Sequence, residues 1–410
     1  MTEKLFAMAL GIQDPWFITR IEFIPAEKGQ LRGQIEILVD FKRGSKFRDS
    51  DGIAQSVHDT VERTWQHLDF FQHTCLIHAR IPRIQTSSGN TLQVEVPWAR
   101  PGSSFTLLFE AFGMLLVENE MPFSKVGEVL GVDGRRVQNF FNFWVRDALK
   151  GQDLSDIKHI GIDETSSKKG HKYVTVVADH DSKKVVYVTE GKSADTIEEF
   201  AEYIDSKGGS ANNIKRTSID MSPAFISGIM EYLPYSQIVF DKFHVMKMLN
   251  EAMDKTRKSE QKIHTGIQRS RYLWLKNDEN LNAEQIELRS NLSDAYPTIG
   301  QAYRLKVLFK EIWTYSTVKG IKHFFKQWKS EAVKLKNQFF IDFSKTIERH
   351  WYGVESYIME ELSNGLLEGI NSKIQLAKRR ARGYRNMENF KMMIYFLSGK
   401  LKYNYPQLNA

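Results

Sequence analysis

The sequence of 410 residues lacks the multiple cysteines typical of small secreted proteins and the long apolar runs typical of membrane proteins. A single cysteine, Cys75, excludes an intramolecular disulfide and any zinc site built from several cysteines. No apolar run approaches the roughly 20 residues that a membrane-spanning helix needs. The first residues, MTEKLFAMALGIQDPW, make a poor signal peptide because their apolar run is short. We therefore expect a protein of the reducing cytoplasm that has no membrane partner.

Acidic residues are also in the minority. The chain carries 57 Lys and Arg against 50 Asp and Glu, which gives a net charge of +7. The excess is concentrated between Lys373 and Lys402, where nine basic residues meet one acid, Glu388. Such a cluster favours a polyanionic partner, although a solvated helix face would have the same composition.

The first part of the chain is patterned as β-strands. Apolar and polar residues alternate in two pairs of segments, within residues 16–41 and within residues 74–99. A turn sequence separates the two members of each pair, AEKGQ in the first and TSSGN in the second. Between the pairs we predict a helix over residues 53–71. The expected unit is a β-rich N-terminal domain over residues 1–102.

Residues 103–150 change to helical periodicity. The stretch FSKVGEVLGVDGRRVQNFFNFWVRDAL predicts a helix, a short turn at residues 131–133 and a second helix, with Ser124 and Asp133 as N-caps. This spacing is typical of a helix-turn-helix, although an ordinary helical hairpin would also show it. Side chains that suit phosphates and base edges stand at the start of the second helix. They are Arg135, Arg136, Gln138 and Asn139.

The second half of the chain predicts an α/β core. Residues 157–241 have the order strand, strand, strand, helix, strand, helix, strand, which is the order of a ribonuclease H-like fold. Residues 242–362 indicate an all-α insertion, and residues 363–402 return to one strongly patterned helix. We therefore expect a multidomain α/β protein, in which a ribonuclease H-like core with a helical insertion follows the β-rich domain and the helix-turn-helix.

Two predicted strands of this core end in an aspartate at the same edge of the sheet, Asp163 and Asp220. Carboxylates suit Mg²⁺ or Mn²⁺, and two such ions roughly 3.5–4 Å apart can activate an attacking oxygen and stabilise a leaving one. An aspartate at a strand end is also a common turn former, so neither residue alone identifies a site.

Glu368 is the best third carboxylate, because it begins a polar stripe on a predicted helix. Positions three and four apart share one face of a helix. One face carries apolar residues, namely Leu367, Ile370, Ile374 and Ala377. The other carries Glu368, Asn371, Ser372, Gln375, Arg379 and Arg382.

At these residues the sequence resembles the ISL3 family of bacterial insertion-sequence transposases. The resemblance rests on GIDETS, SIDMSPAF, VFDKFHV and above all SNGLLEGINSKIQLAKRRARGYRNMENF. The segments ARIPRI and VPWARPGSSFTLLFE and the helix-turn-helix also look like that family. The similarity covers residues 55–402, and its C-terminal part is the most specific.

The resemblance implies a DDE transposase with Asp163, Asp220 and Glu368 as catalytic residues and as ligands of two Mg²⁺ ions, for which Mn²⁺ can substitute. The implied partners are double-stranded DNA, as terminal inverted repeats and as target DNA, and a second copy of the chain or a larger assembly. The implied setting is the bacterial cytoplasm, at the nucleoid. DNA contacts are expected from the basic stripe, formed by Gln375, Arg379, Arg380, Arg382 and Arg385.

Two further features follow from the resemblance. Asp241 and His244 match an acid-x-x-His motif, with an accessory role or simple strand-end packing as the two interpretations. Relatives carry N-terminal cysteines that look like a zinc site, whereas this sequence keeps Cys75 alone, so we expect a degenerate zinc-ribbon-like domain without zinc. Strands and the side chains of Trp65 and Trp98 would then hold this DNA-binding domain together.

Two other functions compete with transposition. One is a DNA-binding regulator on an inactive transposase core, against which the intact acids argue. The other is a structure-specific nuclease of the ribonuclease H-like fold, against which the N-terminal modules and the long insertion argue.

Overall fold

The computed structural model describes residues 2–26, 32–87, 89–168, 172–360 and 365–406. The chain divides into two compact units, Met1–Gly151 with Leu401–Ala410, and Gln152–Lys400. Among the described residues, no helix is long and apolar enough to cross a membrane.

The first unit begins with a six-stranded sheet. Its strands follow in the order β1-β2-β5-β4-β3, and β6 pairs with β5. Three tryptophans, Trp16, Trp65 and Trp98, are buried on it, and the rings of Trp65 and Trp98 meet edge to face at 5.7 Å. The elements are α1 (Thr2–Ala9), β1 (Trp16–Ile24), β2 (Gln34–Phe41), β3 (Lys46–Arg48), β4 (Ala54–Phe70), β5 (His73–Gln85) and β6 (Thr91–Gln93).

The helix predicted over residues 53–71 is wrong, because this segment is the long strand β4, paired antiparallel with β5. Val57, Val61 and Trp65 stand four residues apart, a spacing that fits one face of a helix and equally fits one face of a strand. The pairing with β5 decides between the two, since it satisfies the backbone hydrogen bonds, with Trp65 buried and Val57 and Val61 half-buried.

Three helices follow in the first unit, α2 (Leu107–Glu118), α3 (Phe123–Leu130) and α4 (Gly134–Lys150). Gly131 ends α3 in the left-handed region with φ of 66°, where glycine carries no steric cost. The side chain of Asp133 then caps α4 by accepting from the Arg135 backbone N–H at 2.7 Å. The predicted turn and the Asp133 cap are confirmed. Ser124 is not a cap, because α3 begins one residue earlier, after Pro122.

The second unit contains a five-stranded sheet with the order β11-β10-β7-β8-β9. Strand β8 is antiparallel to both β7 and β9, and β10 is parallel to both β7 and β11. The predicted order of strands and helices is confirmed. The elements are β7 (His159–Lys168), β8 (Lys172–Asp179), β9 (Lys184–Glu190), α5 (Asp195–Ser206), β10 (Arg216–Ile219), α6 (Pro223–Tyr232) and β11 (Gln237–Phe240).

A helical segment follows β11, as predicted. Its core buries Trp274 and Trp328, and the buried ammonium of Lys306 donates to the Trp274 carbonyl at 2.8 Å. The helices are α7 (Lys242–Ile263), α8 (Arg271–Leu275), α9 (Ala283–Ala295), α10 (Pro297–Phe309), α11 (Val318–Lys334), α12 (Gln338–Arg349) and α13 (Trp351–Glu360).

The single C-terminal helix predicted over residues 363–402 is two helices, α14 (Gly365–Arg380) and α15 (Met387–Ser398). The chain leaves the helical conformation at Arg382 and Gly383, whose φ values are 53° and 91°. Positive φ values are incompatible with a continuing right-handed helix. Arg382 therefore does not extend the Glu368 face of α14, contrary to the prediction.

Candidate active site

The pairing of β7 with β10 brings the two predicted aspartates together. Ser218 of β10 lies beside Gly161 of β7, and Asp220 follows the end of β10 close enough to Asp163 for its charge to help raise the pKa of Asp163. Neighbouring residues of parallel strands point to the same face, so the two carboxylates share one side of the sheet. Asp220 also accepts from the Ser222 backbone N–H at 2.9 Å, which fixes the start of α6.

Asp163 lies in the middle of β7 and is half-buried. Its Oδ1 accepts from the Glu164 backbone N–H at 2.8 Å, and its Oδ2 accepts from Nδ2 of Asn371 at 2.7 Å. Burial raises the pKa of Asp163 to about 6, because the ionised carboxylate loses water, and the Glu164 N–H offsets only part of this effect. A carboxylate that is costly to ionise here would be stabilised by a bound cation.

Asp241 and His244 lie at the junction of β11 and α7, on the side of the two aspartates. Nδ1 of His244 is 3.3 Å from Oδ2 of Asp241. The interaction with Asp241 raises the pKa of His244, and the carboxylates of Asp220 and Asp163 add to the increase. The arrangement favours the charged form of the His244 imidazole beside these carboxylates.

Helix α14 lies along β7 in matched steps. A Cβ at Gly161 would come within 2.7 Å of the Leu367 side chain, so the glycine lets the helix approach the strand. Four helical residues rise about 6 Å and two strand residues about 6.6 Å, so contacts recur at every fourth residue of α14. These contacts are Leu367 on Gly161, Asn371 on Asp163 and Gln375 on Thr165, the last at 2.7 Å.

Gln375, predicted to contact DNA, is thus placed against the strand, where it anchors the helix. Lys378 adds a second anchor, because its ammonium donates to the Ser166 carbonyl at 2.6 Å. Glu164, on the opposite face of β7 from Asp163, pairs with Lys192 at 3.4 Å. Asp163 therefore faces the candidate site, whereas Glu164 forms a surface ion pair.

Glu368 occupies the first turn of α14, three residues before Asn371, and is exposed. In the described parts of the chain, no three His, Cys, Asp or Glu side chains lie close enough together to hold a metal ion. The structure therefore brings Asp163 and Asp220 together, while Glu368 stands on the neighbouring helix outside such a group.

The donor set nevertheless fits a divalent cation. Asp163 and Asp220 supply carboxylate oxygens, and Oδ1 of Asn371 is buried with no hydrogen-bond partner among the described residues. Oxygen donors of this kind suit Mg²⁺ and Mn²⁺. The sequence placed Asn371 on the Glu368 face but gave it no role. The spacing of three from Glu368 was the available signal, and only the packing of α14 on β7 shows which residue it contacts.

The four side chains of α4 that were predicted to contact DNA differ in their exposure to solvent. Arg135 and Asn139 are exposed and Gln138 is half-buried. Arg136 is exposed as well, but its guanidinium donates to the Ser104 hydroxyl at 2.6 Å and lies 4.2 Å above the Phe105 ring. Arg136 is therefore held within its own unit, whereas Arg135 faces solvent.

The arginines that follow Glu368 are all exposed, but they fall into two groups. Arg379 and Arg380 are the last residues of α14, whereas Arg382 and Arg385 lie in the connection to α15. The stripe predicted on one helix face is thus spread over a helix end and a loop.

Two N-terminal histidines, His67 and His73, and Cys75 have structural contacts. His67 is buried, and its Nδ1 lies 2.8 Å from the Thr106 hydroxyl, while burial lowers its pKa to about 4. His73 accepts from the Gly33 backbone N–H at 3.1 Å. Burial also raises the pKa of Cys75 to about 12, so its thiol is a poor metal ligand at neutral pH.

Two family comparisons match different parts of the chain. Residues 160–394 match a family described as transposase, the ISL3-type DDE transposases. Residues 94–145 match the helix-turn-helix domain of transposase family ISL3. The first match spans both aspartates and Glu368 and covers more than half of the sequence, and the second contains α3 and most of α4.

Two relatives are similar over nearly the whole chain. The transposase for insertion sequence element IS1001 of Bordetella parapertussis is 25% identical over 409 residues, which cover 96% of this chain and 98% of the relative. The transposase for insertion sequence element IS1557 of Mycobacterium tuberculosis is 26% identical over 446 residues, which cover 99% of each chain.

Two solved structures resemble part of the chain. The catalytic core domain of HTLV-2 integrase in complex with magnesium is 15% identical with a TM-score of 0.17, and covers 34% of this chain and 98% of the integrase domain. A simian T-cell lymphotropic virus intasome is 12% identical with a TM-score of 0.18, over 43% of this chain and 65% of the viral chain. TM-scores this low carry no argument about the site.

Proposed function

Because the chain belongs to the ISL3 family of transposases, we propose that it binds the terminal inverted repeats of an insertion sequence and catalyses metal-dependent DNA cleavage and strand transfer. The observation that carries the proposal is the pairing of Asp163 and Asp220 on one face of the sheet, beneath Asn371 of α14. The strand order β11-β10-β7-β8-β9 supports a ribonuclease H-like core around this pair, with residues 242–362 as its helical insertion.

The catalytic residues of the proposal are Asp163, Asp220 and Glu368. Two divalent ions, Mg²⁺ or Mn²⁺, would activate the attacking oxygen and stabilise the leaving oxygen of the phosphodiester. Asp163 and Asp220 supply the fixed carboxylates of the site. Glu368, in the first turn of α14, is proposed as the third carboxylate, while Asn371 keeps Oδ2 of Asp163 oriented.

His244 and Asp241 act as positioning residues in this scheme. A protonated His244 lowers the pKa of Asp163, since unlike charges close together favour the charged forms. Asp241 stabilises the charged imidazole in turn.

DNA recognition is assigned to the first unit. Arg135 and Asn139, exposed at the start of α4, are proposed to read the terminal repeat in the major groove, and residues 1–102 to contact its flank. Because two element ends must be joined, the active form is proposed to be a homodimer or larger assembly. The bacterial relatives support the cytoplasm as its setting.

The test is a cleavage assay on a labelled duplex that carries an element end, with Mg²⁺ or Mn²⁺. We expect Asp163→Asn, Asp220→Asn and Glu368→Gln each to remove nearly all cleavage, because each keeps the shape of the side chain and deletes a ligand charge. Binding of the same duplex in EDTA should be unchanged.

The outcomes separate the competing functions. A variant that keeps more than a small fraction of the parent's activity removes that residue from the triad. A parent that binds element ends but does not cut with either metal would be a DNA-binding regulator. Cleavage without strand transfer into a second duplex would identify a nuclease.

A further inference from the structure

A cleft of about 730 Å³ opens in the helical segment that follows β11. It lies among α7, α8, α10 and the residues that follow α10. Its walls carry seven Lys or Arg side chains against three carboxylates, a strongly positive lining. The volume is within the range of sites that hold small ligands, roughly 300–1,000 Å³.

Some of these cationic side chains form ion pairs or hydrogen bonds within the protein. Asp254 pairs with Lys258 at 3.0 Å and lies 3.7 Å from Arg271, and Lys306 donates to backbone carbonyls. In contrast, Lys247 and Lys255 are exposed, and no carboxylate of the described chain lies within ion-pair distance of either. They stand eight residues apart on α7, so about 12 Å separates them along the helix. Two cations at this spacing suit two phosphates of one strand.

Aromatic groups lie beside these cations. Phe243 is 56% exposed at one end of the cleft. Trp313 lines the wall, with the Lys242 ammonium 5.5 Å from its ring. Asn250 also lines the cleft, and its buried Oδ1 has no hydrogen-bond partner among the described residues.

Basic and aromatic side chains together are typical of surfaces that bind unpaired nucleic acid, since backbone phosphates meet the cations and bases stack on the rings. The stacked bases of a duplex offer no free face to Phe243. The buried Oδ1 of Asn250 is an additional acceptor that can receive a hydrogen bond from the edge of a base held in the cleft.

The cleft begins next to the catalytic carboxylates. Phe243 shares the first turn of α7 with His244, whose pKa is raised in part by Asp220 and Asp163. A strand that leaves the active site would therefore reach Phe243 within one helical turn.

We propose that this cleft binds single-stranded DNA, with phosphates on Lys247 and Lys255 and a base stacked on Phe243. The identification of that strand as the one unpaired beside the cut at an element end rests on the proposed function. Binding of a single strand does not.

The phosphate contacts are tested by fluorescence anisotropy of a labelled oligothymidylate in EDTA, over a series of salt concentrations. Each phosphate contact to a single strand contributes about 0.7 to the salt slope, so Lys247→Ala with Lys255→Ala should reduce the slope by about 1.4. The matched control is Lys326→Ala with Lys345→Ala, which removes the same charge from two exposed positions outside the cleft and should leave the slope unchanged.

The stacking contact is tested with Phe243→Ala. Base stacking on an aromatic side chain contributes about 1–3 kcal/mol, so affinity should fall about fivefold or more. Phe243→Tyr should restore it, and Tyr235→Ala, at an exposed ring outside the cleft, should have no effect. An oligonucleotide with 5-iododeoxyuridine should cross-link to Phe243 on irradiation. Equal melting temperatures of all variants establish that each is folded.

The outcomes distinguish this inference from the proposed function. A parental slope in the double lysine variant, or parental affinity in Phe243→Ala, overturns the cleft as a single-strand site. An equal loss of duplex and single-strand binding overturns the preference for unpaired DNA. If the parent never cuts an element end but binds the single strand through these residues, the proposed function fails and the inference stands.

Discussion

Removing the side chain of Asn371 is expected to weaken metal binding while leaving the fold intact. Its amide donates to Oδ2 of Asp163 at 2.7 Å, and its buried oxygen has no hydrogen-bond partner among the described residues. Asn371→Ala deletes both groups at once. Leu367, Ile370 and Ile374 still bury the apolar face of α14, so the helix should stay on the sheet.

The magnitude follows from the hydrogen bond that is removed. A hydrogen bond to a charged group contributes about 1.5–3 kcal/mol. Groups that orient a metal ligand typically change metal affinity by about 10–100-fold when they are removed. We expect a loss near tenfold if Asn371 only orients Asp163. A loss near a hundredfold is expected if its free oxygen also binds the metal or a metal-bound water.

The assay is a calorimetric titration of Mn²⁺ into the parent, Asn371→Ala and the control Ser372→Ala at one pH. Ser372 is the next residue and is exposed, and its hydroxyl donates to the Glu368 carbonyl within the same helix at 2.9 Å. The control should bind Mn²⁺ as the parent does. Equal Mn²⁺ affinity of Asn371→Ala and the parent, with both folded, would refute the assignment of Asn371 to the metal site.

Three further predictions concern DNA contacts and pH. Arg135→Ala should cost about 1–3 kcal/mol of binding to a terminal repeat and relax specificity at one base pair, whereas Arg136→Ala should lower the melting temperature more than the selectivity; gel-shift competition and thermal unfolding separate the two. Alanine at Arg379 and Arg382 should weaken binding to all duplex sequences alike and flatten the salt slope by about 0.9 for each phosphate that is no longer neutralised; an unchanged slope would identify a solvated surface. Burial lowers the pKa of His67 to about 4, so the neutral imidazole contributes fully to the free energy of unfolding above pH 6.5. That contribution, about 3 kcal/mol in total, is lost as the pH falls toward 4. Denaturant unfolding of the parent and His67→Gln across this range measures the loss, and parallel pH profiles of the two proteins would contradict it.

The parts of the fold that were predicted correctly are determined by residues close together in the sequence. The turn at Gly131 and the cap at Asp133 are determined by neighbouring residues, so the helix-turn-helix could be recognised from them alone. Asp163 and Asp220 could be paired because their strands β7 and β10 are parallel neighbours, although β7 continues to Lys168 and the strand end predicted at Asp163 is wrong.

The errors arose where a longer-range interaction decides. The spacing of Val57, Val61 and Trp65 is compatible with two conformations, and only the pairing with β5 selects the strand. Helix α14 ends because the backbone at Arg382 and Gly383 has positive φ values. The arginine-rich sequence around these residues is compatible with a helix, so it did not indicate this end.

The role of Asn371 and the cleft along α7 could not be predicted for a related reason. Asn371 contacts Asp163 across 208 residues of sequence. The cleft combines side chains from three helices and their connections, and the spacing within any one of them does not reveal it.

The matched steps of α14 on β7 have a consequence for how this architecture can evolve. The alignment of helix and strand is set by side chains, from Leu367 at one end to Gln375 at the other, and a displacement of one residue would rotate Asn371 about 100° away from Asp163. The connection between β11 and α14 therefore does not need a fixed length to place the helix. The helical segment between residues 264 and 350 could therefore change in length without moving Asn371 away from Asp163.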